Sequence, residues 1–255
     1  PKACRNMKIS VVTAVMNGRA TLPKMVHSLH AQTYPDIEHV VQDGGSTDGT
    51  IEFLEQTSHP QMRLVTAPDN GIYDAINQGI ARASGDVIGL LHADDHFASP
   101  DVLAWVAQAL QDPAIDGVYG DLQYVARSDD TRVIRHWKAG PFVLAQLRRG
   151  WMPPHPTLYL RSEVFVHAGL YDTSYRISGD YDGMLRFLTT GAVRLGYIPQ
   201  VMVRMRMGGV SNRSFAHMLR KSREDYRAIR THGIGGVGTL LAKNLSKLPH
   251  FGTGS

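Results

Sequence analysis

The 255 residues predict an α/β fold: a mostly parallel sheet with helices on both faces. Three observations carry this. Short apolar, β-rich runs alternate with segments of helical spacing through the first 120 or so residues. Turns rich in Gly, Asn and Asp separate them. Hydrophobic residues make up 43% of the chain, enough to fill a large core.

Residues 9–15 read as the first strand, followed by Asn17-Gly18 and then by Leu22, Met25, Val26 and Leu29 at helical spacing. The unit recurs. A second strand over 37–42 ends at Asp43, the turn Gly44-Gly45-Ser46-Thr47-Asp48 follows, and a helix begins over 50–55. A third strand covers 63–66. Ile72, Ala75, Ile76, Gly79 and Ile80 then line one helical face. After the Ser84-Gly85 break, residues 87–91 are apolar throughout, as a strand covered on both faces should be. Such alternation implies right-handed crossovers, a Rossmann-like sheet, and ligands gathered at the carboxyl ends of the strands.

Beyond Gly120 the pattern loosens into shorter strands over 122–125, 157–161, 193–198 and 201–206, with a helix around 181–188. Residues 215–229 place Phe215, Met218, Leu219, Tyr226 and Ile229 among Arg and Lys, which reads as an amphipathic helix. The expected organisation is a tail over 1–7, one domain over 8–211, and a basic helical extension over 212–255.

The tail lacks the apolar stretch and cleavage site of a secretory signal, and no run approaches the ~20 residues needed to cross a bilayer. Cys4, the one cysteine, excludes an intrachain disulfide and fits a reducing compartment, so a cytoplasmic protein is expected. The net charge of +4 is uneven: residues 212–255 hold eight Lys/Arg against two Asp/Glu. A helix of this kind suits peripheral contact with anionic lipid, and equally a merely solvated basic face.

Acidic residues follow three strand ends: Asp43, Asp69 and the pair Asp94-Asp95. A parallel sheet would bring them to one edge, where carboxylates repel unless a cation or hydrogen-bond donors compensate. A metal and nucleotide site is the natural use. Asp43 precedes the glycines and suits a base or ribose contact, whereas Ser46 and Asp48 read as helix caps. Asp94 and Asp95 end a buried strand, where a hard cation bridging two phosphates needs a carboxylate. Arg204 and Arg206 alternate on a strand, where a guanidinium could meet donor phosphate or simply line an exposed face. Trp151, ahead of a Pro-rich loop, reads as packing rather than as a sugar platform.

The segments VVTAVMNGRATLPKMVHSLHAQTYPDIEHVVQDGGSTDGT and DNGIYDAINQGIARASGDVIGLLHADD resemble glycosyltransferase family 2. The resemblance continues through PHPTLYLRSEVFVHAGLYDTSYRISGDYDGMLRF to MGGVS, so it spans residues 9–211 in order. It implies a GT-A fold, a nucleoside-diphosphate-sugar donor, Mn²⁺ or Mg²⁺, and inversion by single displacement. By position, Thr13, Ala14, Asn17 and Asp43 should line the nucleotide pocket, with Asp69, Asn70 and Gly71 near the base or ribose. Asp94 matches the metal-binding acid of the D-x-D motif, and Asp95 the residue after it. Asp180 matches the general base that takes the acceptor hydroxyl's proton; on residue type alone it reads as a helix cap. His155 matches a polar position of the acceptor-side loop, suited to diphosphate, to a sugar hydroxyl or to a structural hydrogen bond.

The sequence departs from the family pattern twice. His92 replaces the leading acid of D-x-D, where it could ligate the metal or contact phosphate, or simply pack at the strand end. Gly179 stands where the family often has Glu. The expected acceptor is a glycan or a lipid-linked hydroxyl in surface polysaccharide or glycolipid assembly, with no nucleic-acid partner. Two alternatives are a sugar-nucleotide nucleotidyltransferase, which should carry a Gly-rich basic phosphate loop that 11–17 lacks, and a non-catalytic partner subunit, which should have lost Asp94 and Asp180.

Overall fold

The computed structural model describes residues 7–190, 193–207 and 215–245. Its first half follows the expected alternation: β1 (Ile9–Val15), α1 (Leu22–His30), β2 (Ile37–Asp43), α2 (Thr50–Gln56), β3 (Met62–Thr66), α3 (Ile72–Arg82) and β4 (Val87–Leu90). β1 pairs in parallel with β2 and β4, and β2 with β3. The chain therefore turns outward on both sides of β1, and the carboxyl ends of β1 and β4 flank the point where strand order reverses. Ligands collect at such a point.

The second half adds β5 (His96–Phe97), α4 (Val102–Ala109), β6 (Gly117–Val125), β7 (Val133–Trp137), β8 (Tyr159–Arg161), α5 (Ser162–Ala168), α6 (Gly179–Thr190) and β9 (Leu195–Arg206). Short 3₁₀ turns cover Leu144–Arg149 and His155–Thr157, and α7 (Phe215–Thr231) and α8 (Val237–Leu245) close the described chain. One sheet runs β3-β2-β1-β4-β8-β6-β9-β5, with β7 added on β6. β8 is antiparallel to β4 and β6, while β9 returns parallel to β6.

Helices cover both faces because strand residues alternate between two cores. Val12 and Ala14 of β1 join α3, α5, α6 and α7 residues in one cluster. Ile9, Val11 and Val15 join α1, α2 and α4 residues in the other.

Several expectations change. The two expected strands at 193–198 and 201–206 are one, which begins only at Leu195 and runs through Pro199, where the register with β6 shifts and a missing N–H is tolerated. Thr157 belongs to a 3₁₀ turn rather than a strand. The helix at 215–231 is present, but the side chains it buries are Asp225, Ala228 and Ile229. Met218, Leu219 and Tyr226 of the expected apolar stripe are exposed. Residues 1–6 of the expected tail, Gly208-Gly209, Ser211 and 246–255 lie outside the described residues, as does the Phe215 side chain. Among the described residues no helix is long and apolar enough to cross a membrane.

Glu38 ties the amino ends of the parallel strands together. Its carboxylate accepts the Ser10 hydroxyl at 2.6 Å and the Ser84 backbone N–H and hydroxyl at 2.8 and 2.9 Å, with Lys8 at 3.6 Å. Burial raises its pKa, but these donors outweigh burial and bring it down to about 2. A depressed acid stabilises the fold above its unfolded pKa, and that stability is lost as pH falls through the folded value. Glu38→Gln should therefore lower stability at pH 7 by about 2 kcal/mol and flatten its fall below pH ~4.5, read by urea melts against pH. Parallel pH profiles for the two proteins would refute this.

Candidate active site

The loops after β1 and β2 are knitted by polar side chains. Asn17 adopts φ 54°, accepts the Thr47 N–H at 2.9 Å and donates its own N–H to the Ser46 hydroxyl at 2.8 Å. Asp43 is fully buried and accepts the Gly45 and Ser46 N–H groups, both at 2.9 Å, and the Ser46 hydroxyl. Asp48 accepts the Thr50 N–H and hydroxyl at the start of α2 and the Arg19 N–H from the neighbouring loop. Thr13 is also fully buried, donating to the Leu91 carbonyl and facing the His39 ring at 3.1 Å. The Asp43 and Thr13 side chains thus brace the pocket wall from behind, and the surface in front is left to Met16, Asn17 and the turn backbone.

Asp69 lies across from Asp43. A Cβ on Gly44 would strike its carboxylate, so glycine there lets the two loops touch. Its other oxygen accepts the Gly71 N–H at 2.9 Å, and Gly71, at φ 115°, turns the chain into α3. Asn70 donates to Asp74 through its backbone and side chain. Asn70 and Gly71 are exposed and Asp69 is half-buried, so this edge is open to a ligand. A Cβ on Gly18 would lie 3.5 Å from that of Ala93, which brings the loop after β1 against the His92–Asp95 segment.

Asp94 is half-exposed, whereas the Asp95 carboxylate is sealed at 1% exposure. Burial and the adjacent Asp94 charge push the Asp95 pKa well up, against the Arg206 backbone N–H and guanidinium. Asp95 therefore stands behind the cleft rather than in it. Arg206 is engaged with Asp130, at 3.7 Å, as well as with Asp95.

The carboxylates from the two halves meet around His92. Burial pulls its imidazole below the usual value, while the Asp94 and Asp180 charges both pull it up, so both acids act on one ring. The His155 ring lies 6.0 Å from that of His92, and its Nε2 is 2.9 Å from the Tyr171 hydroxyl. Burial holds the His155 pKa down to about 4, despite the Asp180 charge. Asp180, in the first turn of α6, accepts the Tyr181 N–H at 2.8 Å and faces the Tyr73 hydroxyl at 3.4 Å.

Two tyrosines missed by sequence reasoning complete this cluster. Tyr73 donates to the Ile177 carbonyl at 2.6 Å and stacks on Tyr171 at 6.1 Å. They reach α6 because Gly179 and Gly183, one turn apart, leave room. A Cβ on Gly179 would lie 2.8 Å from the Tyr73 ring, and one on Gly183 2.8 Å from the Tyr171 ring. The departure at Gly179 is thus a packing requirement set by Tyr73. The i, i+4 glycines in GDYDG were the available signal.

The C-terminal helices hold α6 in place. Glu224 accepts the N–H groups of Arg176, Ile177 and Ser178 at 3.2, 2.8 and 2.9 Å. His232 meets Asp182 at 2.9 Å. Lys243 pairs with Asp225 at 2.8 Å and sits over the Tyr181 ring. Trp151 packs on Tyr119 and Phe142, as its position suggested.

Among the described residues no three His, Cys, Asp or Glu side chains form a ready-made metal cage. Asp94 and His92 offer a carboxylate and an imidazole, a donor set that suits a divalent cation sharing its remaining positions with phosphate and water.

A family model described as Glycosyl transferase family 2 matches residues 10–163. An uncharacterized glycosyltransferase of Mycobacterium tuberculosis (H37Rv) is 34% identical over 180 residues, 70% of this chain and 68% of that protein. A PGL/p-HBAD biosynthesis glycosyltransferase of Mycobacterium bovis (BCG) is 33% identical over 210 residues, 80% of this chain and 78% of that protein. S. aureus TarS 1–349 with UDP-GlcNAc superposes with TM-score 0.70 at 16% identity, over 89% of this chain and 66% of that one. The mannosyltransferase PcManGT of Pyrobaculum calidifontis, with GDP-Man and Mn²⁺, gives TM-score 0.67 at 20% identity, over 97% and 72%. The chain spans just under two thirds of the TarS fragment. These likenesses show the GT-A fold.

Gly179→Ala should destabilise the protein by about 1–3 kcal/mol by overpacking against Tyr73. In a Tyr73→Ala background the same change should be neutral or slightly stabilising, because Ala favours a helix by up to ~1 kcal/mol over Gly. Thermal melts of the four proteins test this, and strictly additive losses would show that the two residues do not collide.

Proposed function

The chain belongs to glycosyl transferase family 2, and we propose that it transfers a sugar, with inversion, from a nucleoside-diphosphate-sugar to a hydroxyl of a glycan or lipid-linked acceptor. One observation carries the reading: Asp94 and Asp180, 86 positions apart, both act electrostatically on the half-buried His92 ring. On this reading the family's donor site and its base position serve one cleft.

In this reading Asp69, Asn70, Gly71, Ala14 and Asn17 border the nucleoside, with Asp43 and Thr13 holding their loops. The diphosphate lies toward Asp94, His92 and His155. The expected cation is Mn²⁺ or Mg²⁺ held by Asp94 with His92, and it would supply charge neutralisation for the departing diphosphate. Asp180 accepts the proton of the acceptor hydroxyl as that oxygen attacks the anomeric carbon from the face opposite the leaving group. The Tyr73 hydroxyl and the first turn of α6 keep this carboxylate oriented. His155 is neutral above its pKa of about 4, so it serves as a hydrogen-bonding group rather than a fixed cation.

The donor class is supported by UDP-GlcNAc and GDP-Man in the two structural neighbours, and a role in glycolipid or polysaccharide assembly by the relative named for PGL/p-HBAD biosynthesis. A cytoplasmic setting, at the inner face of a membrane for a lipid-linked acceptor, follows from the same reading.

Asp180→Asn should lower turnover by about a hundredfold or more while leaving the donor dissociation constant nearly unchanged, measured by product formation and calorimetry. A fully active Asp180→Asn enzyme would remove the base assignment. Asp94→Ala should weaken Mn²⁺-dependent donor binding by roughly an order of magnitude and leave metal-free binding alone. Equal Mn²⁺ dependence in both proteins would take Asp94 out of the metal site.

A further inference from the structure

α8 is packed inside out. It buries Thr239 and Lys243, while Val237, Leu241 and Leu245 stand 59%, 55% and 59% exposed. Their i, i+4, i+8 spacing makes them one stripe along the helix. The helix cannot roll to hide it: the Lys243 ammonium pairs with buried Asp225 at 2.8 Å and lies 3.1 Å from the centre of the Tyr181 ring. Turning α8 over would leave the Asp225 carboxylate buried beside fewer cations, which is strongly unfavourable.

The segment packed beside α8 adds further exposed aliphatic side chains. A Cβ on Gly150 would strike the Lys243 backbone, so the 3₁₀ turn Leu144–Arg149 lies directly against this helix. It carries Val143 and Leu144, which are 52% and 57% exposed, together with exposed Arg148 and Arg149. Neither 141–150 nor 232–245 contains an Asp or Glu, and α7 adds exposed Arg220, Arg223 and Arg230 nearby in the chain. A monomer rarely leaves so many aliphatic side chains together in water without a partner.

We propose that this face docks on an anionic bilayer surface. α8 lies in the headgroup region with Val237, Leu241 and Leu245 directed into the acyl boundary beside Val143 and Leu144, and Arg148 and Arg149 lie among lipid phosphates. The charge selects this occupant, because a second copy docked by the same face would set like-charged arginines against one another. The membrane contact expected of 215–229 is thereby moved to α8, since α7 uses its central residues to hold α6. The inference does not depend on the transfer chemistry.

The test is flotation of the full chain with vesicles of phosphatidylcholine, alone or mixed with phosphatidylglycerol. The chain should float with the mixed vesicles, less so as salt is raised. V237S/L241S/L245S should lower its partition coefficient about a hundredfold, and R148Q/R149Q about tenfold. Both variants should keep the parent's melting temperature and its thermal shift with UDP-sugars or GDP-sugars. Equal flotation of parent and triple variant, no preference for anionic vesicles, or light scattering that shows a dimer dispersed by the triple variant would each overturn the proposal. Vesicle binding without any nucleotide-sugar shift would leave the docking face standing and count against the transferase reading alone.

Discussion

The cleft depends on one carboxylate that never enters it. Glu224 of α7 accepts three consecutive backbone N–H groups, from Arg176, Ile177 and Ser178, just ahead of the helix that carries Asp180. Such charge-assisted bonds contribute about 1.5–3 kcal/mol each when well formed. They fix the entry to α6, where the Ser178 carbonyl accepts the Asp182 N–H and the Ile177 carbonyl accepts the Tyr73 hydroxyl. Asp180 is thereby held between an α3 side chain and a loop clamped by α7. The segment set apart in the sequence as a basic extension places Ala228, Ile229 and Ile234 in the same core as α6.

The parallel half was legible because its signal is local. β1 and β4 are mostly apolar runs, β2 is buried along its whole length, and the turns between them carry Asn17-Gly18, Gly44-Gly45 and Ser84-Gly85. The second half was less so, for physical reasons. β5 is two residues long, and β7 is an edge strand that leaves Val133 and Ile134 exposed, so neither shows an inside-outside period. α4, VLAWVAQA, is apolar on nearly every side, so helical periodicity is weak. On α7 the pattern held at Ile229 and failed at Met218, Leu219 and Tyr226, which are exposed. Periodicity assumes that charge faces water, but here Asp225 is buried, paired with Lys243 of α8, whose Val237, Leu241 and Leu245 stand outside.

The candidate site divides in the same manner. Residue type and strand-end position pointed to Asp69 and Asp94, and the family resemblance alone to Asp180; the fold brings Asp94 and Asp180 to the same ring. Residue type could not separate a carboxylate that faces a ligand from one that braces a loop. Asp43 and Asp95 both follow strand ends, yet both are closed off, Asp43 by the Gly45-Ser46 turn and Asp95 beneath Asp94. Tyr73 and Tyr171 lie inside two of the motif segments that carry the family resemblance, where nothing in the residue pattern singles them out. Their role appears only once Gly179 and Gly183 are seen to leave space for their rings.

His92 then acquires an electrostatic meaning. An acid at that position would place a third carboxylate between Asp94 and Asp180, in surroundings already poor enough in water to pull an imidazole pKa downward. Three like charges at such a site would hold together only with a cation continuously present or with one acid protonated. A neutral imidazole removes that conflict, and it can still offer a lone pair to a metal or an N–H to phosphate. The neighbouring His155 extends the same solution, since burial keeps it neutral and its Nε2 is joined to Tyr171. Asp94 and Asp180 thus share a neighbourhood of neutral hydrogen-bonding rings. In the proposed reaction Asp180 receives the acceptor proton while Asp94 serves the opposite end of the same site.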